Sequence, residues 1–208
     1  FTENNLAVPQ SFEDLAKTEY KGLLVVEDPA TSSPGLAFLL ATRAHFGDGY
    51  LDYWKSLKDN GVVVVDGWET AYYTNFSASS GKGPQPMVVS YASSPAAEVF
   101  FASEPLTDSP TASIVASGMC FRQIEFVGIL KNGQNNDLAQ KFVDFMLSQK
   151  FQEDMPLNMF VYPVNKNAQL PEVFTNFAQI AESPAALSAA EIASNRDAWI
   201  EAWTAAMK

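Results

Sequence analysis

Residues 23–40 read LLVVEDPATSSPGLAFLL. The apolar run at 23–26 predicts a buried strand, and the apolar residues that follow Gly35 predict a helix. Between them, Pro34 suits the first turn of a helix, and the hydroxyl of Ser32 or Ser33 can cap the free N–H groups there. The same N–H groups, at the positive end of the helix dipole, also suit an anionic group of a ligand. The stretch therefore predicts a strand–turn–helix unit whose turn is either an ordinary helix cap or part of a binding site.

Strands and helices continue to alternate along the rest of the chain. A loop rich in Ser, Gly and Pro is predicted at 77–86. The hydrophobic periodicity predicts further strands at 62–65, 87–90, 111–115 and 121–130, and helices at 34–46, 50–58, 68–76, 138–147 and from 188 onward. We therefore predict an α/β fold with a mostly parallel sheet flanked by helices.

The composition excludes several classes of function. The 208 residues carry a formal net charge of −11, which argues against a nucleic-acid or anionic-membrane surface. The apolar runs, such as 62–65, are far shorter than a membrane-spanning segment. Because the sequence opens at Phe1 without an initiator Met, we expect a piece of a longer protein.

The chain has one histidine, His45, and one cysteine, Cys120. An intrachain disulfide and a cysteine-based zinc cluster are therefore not possible. Catalysis by a Ser-His-Asp or Cys-His set would need His45, yet no nucleophile motif accompanies it. We expect His45 to lie at the surface or at a helix end, which leaves hydrolase chemistry disfavoured.

Polar and aromatic residues follow the predicted strands where each one ends. Asp66-Gly67-Trp68 follows the strand at 62–65, and Ser90-Tyr91 follows the strand that begins at Met87. Ligands of open α/β sheets bind outside the carboxyl ends of the strands, and aromatic faces stack on flat rings and attract organic cations. We therefore expect Trp68 and Tyr91 to lie beside the turn at 31–35.

Six segments in this order resemble the periplasmic thiamine-binding proteins of bacterial ABC transporters, within the type 2 solute-binding proteins: DPATSSPGLAFLL, DGWETAYY, MVVSYASSPA, LAQKFVDFMLSQKFQ, MFVYPVN and RDAWIEAW. The resemblance covers nearly the whole chain but only the later part of that family's mature protein. It implies two α/β lobes that close on a ligand. Residues 1–120 would form the second, ligand-clamping lobe, and residues 121–208 would return to the first lobe and add the C-terminal helices.

The resemblance also implies a ligand, thiamine, with its phosphates left open as further ligands, and neither a catalytic residue, a metal nor a separate cofactor. The turn serines would hold a phosphate or hydroxyl tail and the aromatic residues would hold the rings. The implied ligand-binding residues are Ser32, Ser33, Gly35, Trp68, Ser90, Tyr91, Phe160 and Tyr162. Two positions depart from the family, since Phe160 stands where the family has a tryptophan and Ala97 where it has a second tyrosine. The acids that would pair with the cationic ligand lie outside this chain.

The implied partner is the membrane permease of an ABC importer, and the implied location is the periplasm or the cell exterior, with a lipid-anchored form left open. A lobe without its counterpart exposes its cleft and hinge surfaces. We therefore expect that the isolated piece can dimerise.

Two alternatives stay open at this point. A protein of the same fold could bind ferric iron through Tyr72 and Tyr73, although adjacent helical residues point about 100° apart and one of the two is expected in the core. An enzyme of thiamine or pyrimidine metabolism would need a reactive Cys or His in the cleft. We expect Cys120 instead to be a buried, small apolar residue.

Overall fold

The computed structural model describes residue 1, residues 5–78 and residues 82–208. The predicted loop at 77–86 includes residues 79–81, which lie outside the described residues. Residues 2–4 also lie outside them. The strands are β1 (Leu24–Glu27), β2 (Val63–Val65) and β3 (Met87–Val88). The α-helices are α1 (Phe12–Leu15), α2 (Ser33–Phe46), α3 (Tyr50–Asp59), α4 (Trp68–Thr70), α5 (Ser94–Phe100), α6 (Asn136–Met146), α7 (Gln149–Met159), α8 (Glu172–Phe177) and α9 (Ala189–Met207). Short 3₁₀-helices lie at Thr18–Tyr20 and Gly47–Gly49, and a π-helix at Ala71–Asn75 continues α4.

The strands form a parallel sheet in the order β2-β1-β3. Val25 of β1 pairs with Val63 of β2 on one side and with Val88 of β3 on the other. Each pair of strands is joined through helices, as parallel pairing requires. The predicted α/β fold with a parallel sheet is therefore confirmed.

The predicted strands at 111–115 and 121–130 are wrong. In the described structure both segments are irregular, and only Phe121 forms an isolated parallel bridge, to Ala185. A strand needs a neighbouring backbone to accept and donate its hydrogen bonds. The alternation of polar and apolar residues at 123–126 has the period of a strand, but no strand pairs with this segment in the described structure. Ile124 and Phe126 are both exposed.

The chain divides into two compact units, each discontinuous in sequence. Unit 1 comprises residues 1–92, 114–122 and 180–208, and unit 2 comprises residues 93–113 and 123–179. The predicted division into lobes at residue 120 refers to lobes of a whole protein and stays a prediction.

Unit 1 is built on a single hydrophobic core. Leu24 and Val26 of β1 belong to it, with side chains from α2, α3 and α9. At its centre the rings of Trp54 and Trp203 meet edge to face at 5.3 Å, and the Trp54 indole N–H donates to the Thr42 hydroxyl at 2.9 Å. The core thus fixes α9, which is the helix predicted from residue 188 onward.

In unit 2, α5 packs against α8, and Phe174 of α8 is almost fully buried. Helix α6 corresponds to the helix predicted at 138–147. Its apolar side is exposed in the described structure, where Leu138, Phe142 and Phe145 are 66%, 56% and 48% exposed. None of the helices in the described ranges combines the length and apolar character needed to cross a membrane.

Gly35 sets the distance between α2 and β1. A Cβ atom at this position would lie 2.5 Å from the carbonyl oxygen of Glu27 and 2.9 Å from its carbonyl carbon. Both atoms belong to the backbone of the central strand, so they cannot move aside as a flexible side chain could. The first turn of α2 therefore lies directly against the end of β1 only because residue 35 has no side chain.

We expect Gly35→Ala to destabilise the protein by about 1–3 kcal/mol, the usual cost of forcing extra volume into a packed site. The matched control is Gly49→Ala, because Gly49 has an ordinary negative φ of −80° and no heavy atom within 4 Å of an added Cβ. Urea unfolding monitored by tryptophan fluorescence measures both. Equal midpoints for the two variants would contradict the close approach of α2 to β1.

Candidate ligand-binding site

The carboxyl ends of the parallel strands meet at one edge of the sheet. The segment after β1 is held to the end of β2 because the Asp28 N–H donates to the Val65 carbonyl at 2.8 Å. This edge gathers the predicted site residues of unit 1: Ser32, Ser33, Gly35, Trp68, Ser90 and Tyr91. Ser32 to Gly35 come from the turn into α2, and Trp68 begins α4.

The turn after β1 is organised by the buried side chain of Asp28, which is 2% exposed. Its Oδ1 accepts the Ala30 N–H at 2.8 Å, and its backbone carbonyl accepts the N–H groups of Thr31 at 3.2 Å and Ser32 at 3.0 Å. Its Oδ2 lies 2.5 Å from the ammonium Nζ of Lys208. The pKa of Lys208 is raised by this hydrogen bond and by the negative charge of Asp28.

Helix α2 starts as the sequence predicts, with Ser32 rather than Ser33 as its cap. The Ser32 hydroxyl accepts the Gly35 N–H at 3.5 Å, and the Ser32 carbonyl accepts the Leu36 N–H at 2.9 Å. Pro34 lies in the first turn and has no N–H to satisfy. Ser33 is exposed at the mouth of the turn, so its hydroxyl can reach a ligand.

Thr31 connects the turn before α2 to the loop before α4. Its hydroxyl donates to the backbone carbonyl of Asp66 at 2.5 Å, across 35 positions of sequence. Asp66 is two residues before Trp68, so this bond places the aromatic residue beside the turn. Sequence reasoning did not give Thr31 this role. The sequence could have indicated only that both residues follow strands, which pair with each other in the sheet.

Trp68 lies at the centre of an aromatic cluster with Tyr72, Tyr73 and Tyr91. Its ring stacks on that of Tyr72 at 4.8 Å and 23°, and lies 5.5 Å from Tyr73 and 5.9 Å from Tyr91. The indole N–H donates to the Ser90 hydroxyl at 2.8 Å. Tyr72 is buried, whereas Tyr73 and Tyr91 are exposed to solvent. The cluster is thus anchored on its buried side and offers aromatic surface on the other.

The remaining predicted site residues, Phe160 and Tyr162, belong to unit 2. Phe160 ends α7 in the left-handed conformation, with φ of 52°, and its carbonyl accepts a hydrogen bond from the Ser93 hydroxyl at 2.6 Å. Its ring stacks on Phe174 at 6.0 Å, and Tyr162 meets Phe174 edge to face at 5.4 Å. Burial raises the pKa of Tyr162. A non-glycine residue with positive φ is uncommon and is held there by its surroundings.

The first alternative, a ferric-iron site, depends on Tyr72 and Tyr73. The rings of Tyr72 and Tyr73 are nearly perpendicular, at 82°, and only Tyr73 is exposed, as expected if one of the two is in the core. No cluster of three or more His, Cys, Asp or Glu side chains that could hold a metal ion occurs among the residues described.

Cys120 is only partly buried, so the expectation that it is a buried residue is wrong, and its thiol donates to the Ile114 carbonyl at 3.6 Å. Burial raises the pKa of the Cys120 thiol, whereas a nucleophilic cysteine needs a lowered one. His45 lies in the last turn of α2 as expected, and its Nε2 is 3.0 Å from Oε1 of Glu13.

Glu27, the last residue of β1, was not among the predicted site residues. It is fully buried, and none of the described residues forms a hydrogen bond with either of its carboxyl oxygens. Its Cβ lies 3.1 Å from the position that a Cβ of Gly35 would occupy, which places it against the first turn of α2. Burial raises its pKa from the ordinary value of 4.5 to about 8, because a charged carboxylate is costly in a low-dielectric interior, and a contact with its own backbone N–H offsets only part of this rise.

Comparison with known proteins identifies the class to which this fold and site belong. Residues 2–176 match the family described as bacterial extracellular solute-binding protein, and the chain belongs to that family. It is 33% identical over 199 residues to the thiamine-binding periplasmic protein of Escherichia coli and 32% identical to that of Brucella suis. These alignments cover 96% and 95% of this chain but 58% and 57% of the relatives, so the chain spans less than two thirds of their length.

Solved structures give the same fold. A periplasmic thiamin binding protein matches with a TM-score of 0.75 at 28% identity, over 99% of this chain and 62% of that one. The periplasmic binding protein P5PA matches with a TM-score of 0.68 at 17% identity, over 100% of this chain and 63% of that one, which supports the fold alone. The neighbours are type 2 periplasmic binding proteins, so the predicted fold type is confirmed for the part of the protein that this chain represents.

We expect Glu27→Gln to remove a pH-dependent loss of stability. Between about pH 4.5 and 8 the folded protein keeps a proton on Glu27 that the unfolded chain has released. The stability is therefore fully present below pH 4.5 and declines as the pH rises toward 8. Glutamine stays neutral throughout, so this decline is absent in the variant. Urea unfolding at about pH 5 and about pH 8.5 measures the difference.

The matched control is Glu19→Gln, the same substitution at an exposed glutamate. This variant should keep the pH dependence of the parent protein. An equally steep decline in Glu27→Gln and in the parent would show that the carboxyl of Glu27 is not held neutral by the fold.

Proposed function

We propose that this chain is the ligand-binding part of a solute-binding protein that captures thiamine and delivers it to the permease of an ABC importer. The observation that carries the proposal is the aromatic cluster around Trp68, fixed beside the hydroxyl-bearing turn at the carboxyl end of the sheet. The relatives named as thiamine-binding support the choice of ligand.

The chemistry of the cluster suits this ligand. Thiamine joins a positively charged thiazolium ring to a flat aminopyrimidine ring and ends in a hydroxyethyl group. The exposed faces of Tyr73 and Tyr91, together with Trp68, attract an organic cation and stack on a flat ring. The exposed hydroxyl of Ser33 can bond the hydroxyethyl group. The contacts predicted for Phe160 and Tyr162 stay predictions.

The proposed activity is binding without a chemical step, at the outer side of the membrane. The family description places its members outside the cell, and the relatives are named as periplasmic. We therefore propose that the protein works in the periplasm or at the cell exterior. Affinity would come from stacking, from hydrogen bonds at the turn and from the exclusion of water.

We expect thiamine to quench the fluorescence of Trp68, one of the chain's four tryptophans, and to bind the complete gene product in calorimetric titration. Trp68→Phe should abolish most of the quenching, because the responding indole is gone. Trp68→Ala, which removes the stacking surface as well, should weaken binding by about tenfold, corresponding to roughly 1.4 kcal/mol.

Trp199→Phe is the control for the fluorescence change, since Trp199 is buried in the core of unit 1. Quenching should persist in this variant. Absence of any heat or quenching at millimolar thiamine would overturn the proposal.

A further inference from the structure

Residues 123–130 form a backbone segment that has no pairing partner in the described structure. The N–H and carbonyl groups of residues 123–129 form no backbone hydrogen bond with another described residue. Every residue from 122 to 130 is exposed. Unpaired backbone groups along such a segment are a template for pairing with another chain. The segment is therefore open to addition of a strand from outside.

The side chains of this segment belong to a larger apolar surface of unit 2. Phe126 and Leu130 are 89% and 83% exposed. Residues 127–130 line a groove of about 290 Å³ together with side chains of α6, among them the exposed Phe142. We call residues 123–131 and the Phe142 side of α6 the apolar face. Contiguous exposed apolar surface of this kind marks an interaction site.

The charges of the segment allow a second copy of the chain to be the partner. The whole chain has a formal net charge of −11, so two copies repel each other at long range. Residues 123–131 contain one acid, Glu125, and one base, Lys131, and thus have no net charge. Contact between two copies through this segment therefore adds no net repulsion of its own.

The order of residues within the segment determines how two copies can pair. In an antiparallel pair about a two-fold axis at Gly128, Glu125 of one copy lies opposite Lys131 of the other. The same register places Phe126 opposite Leu130, so that apolar side chains also meet across the pair. A parallel pair in register would instead place each charge opposite its own copy, which is unfavourable. The charges therefore favour the antiparallel register centred on Gly128.

We propose that two copies of this chain associate through the apolar face, with residues 123–131 pairing as antiparallel strands about Gly128. Each copy supplies the backbone partner that the other lacks. The two-fold axis makes two equivalent pairs of Glu125 with Lys131, one at each end of the paired strands. This association is a property of the apolar face and does not depend on the proposed ligand.

Sedimentation equilibrium of the 208-residue chain between about 1 and 100 µM tests the inference. We expect the parent to form a dimer. In Phe126→Glu the dissociation constant should rise by at least about tenfold, because a charge replaces a highly exposed ring of the face. Ile180→Glu is the matched control, since Ile180 is 57% exposed and lies outside the apolar face. This variant should dimerise like the parent, and far-UV circular dichroism checks that both variants are folded.

Exchange of the two charges tests the register. Glu125→Lys and Lys131→Glu should each weaken the dimer about threefold to tenfold, because each places two like-charged pairs across the axis. The double variant restores opposite charges and should recover the affinity of the parent.

Three results with the 208-residue chain would overturn the inference: a monomeric parent, an unchanged dimer in Phe126→Glu, or a double variant as weak as the single ones. If a gene product longer than these residues is monomeric, another segment of that chain occupies the apolar face, and the inference fails as well.

Discussion

The turn between β1 and α2, and the candidate site beside it, depend on the buried side chain and backbone of Asp28. Through its N–H this residue ties the turn to β2, and through its carboxylate it ties the turn to Lys208 at the end of α9. Its carbonyl and Oδ1 together fix the next residues of the turn. Half of the Lys208 side chain is exposed, so solvent weakens the ion pair. The backbone hydrogen bonds made by Asp28 therefore hold the turn together with this ion pair.

Rules that act over a few residues predicted the elements that carry the site. Ser32 followed by Pro34 marks the start of α2, and Ser188 followed by Glu191 marks the start of α9, because a hydroxyl cap satisfies N–H groups within three residues of it. Parallel strands with polar residues after them also predicted that the turn, Trp68 and Tyr91 would meet at one edge. These expectations needed no knowledge of distant contacts beyond the topology of an α/β sheet.

The other features of the fold and of the candidate site depend on contacts between residues that are distant in sequence, and the sequence alone did not predict them. The alternation around Ile124 and Phe126 has the period of a strand, but only a neighbouring backbone can make a strand of it. The bond from Thr31 to Asp66 joins two loops 35 positions apart, and the sequence indicates that both loops follow strands but not that this bond forms between them.

Glu27 and Asp28 show how far neighbouring acids can differ when their partners differ. Both side chains are buried, yet Asp28 has a backbone N–H and an ammonium group to stabilise its charge, whereas Glu27 has no donor among the described residues. The raised pKa of Glu27, at about 8, keeps it uncharged at neutral pH.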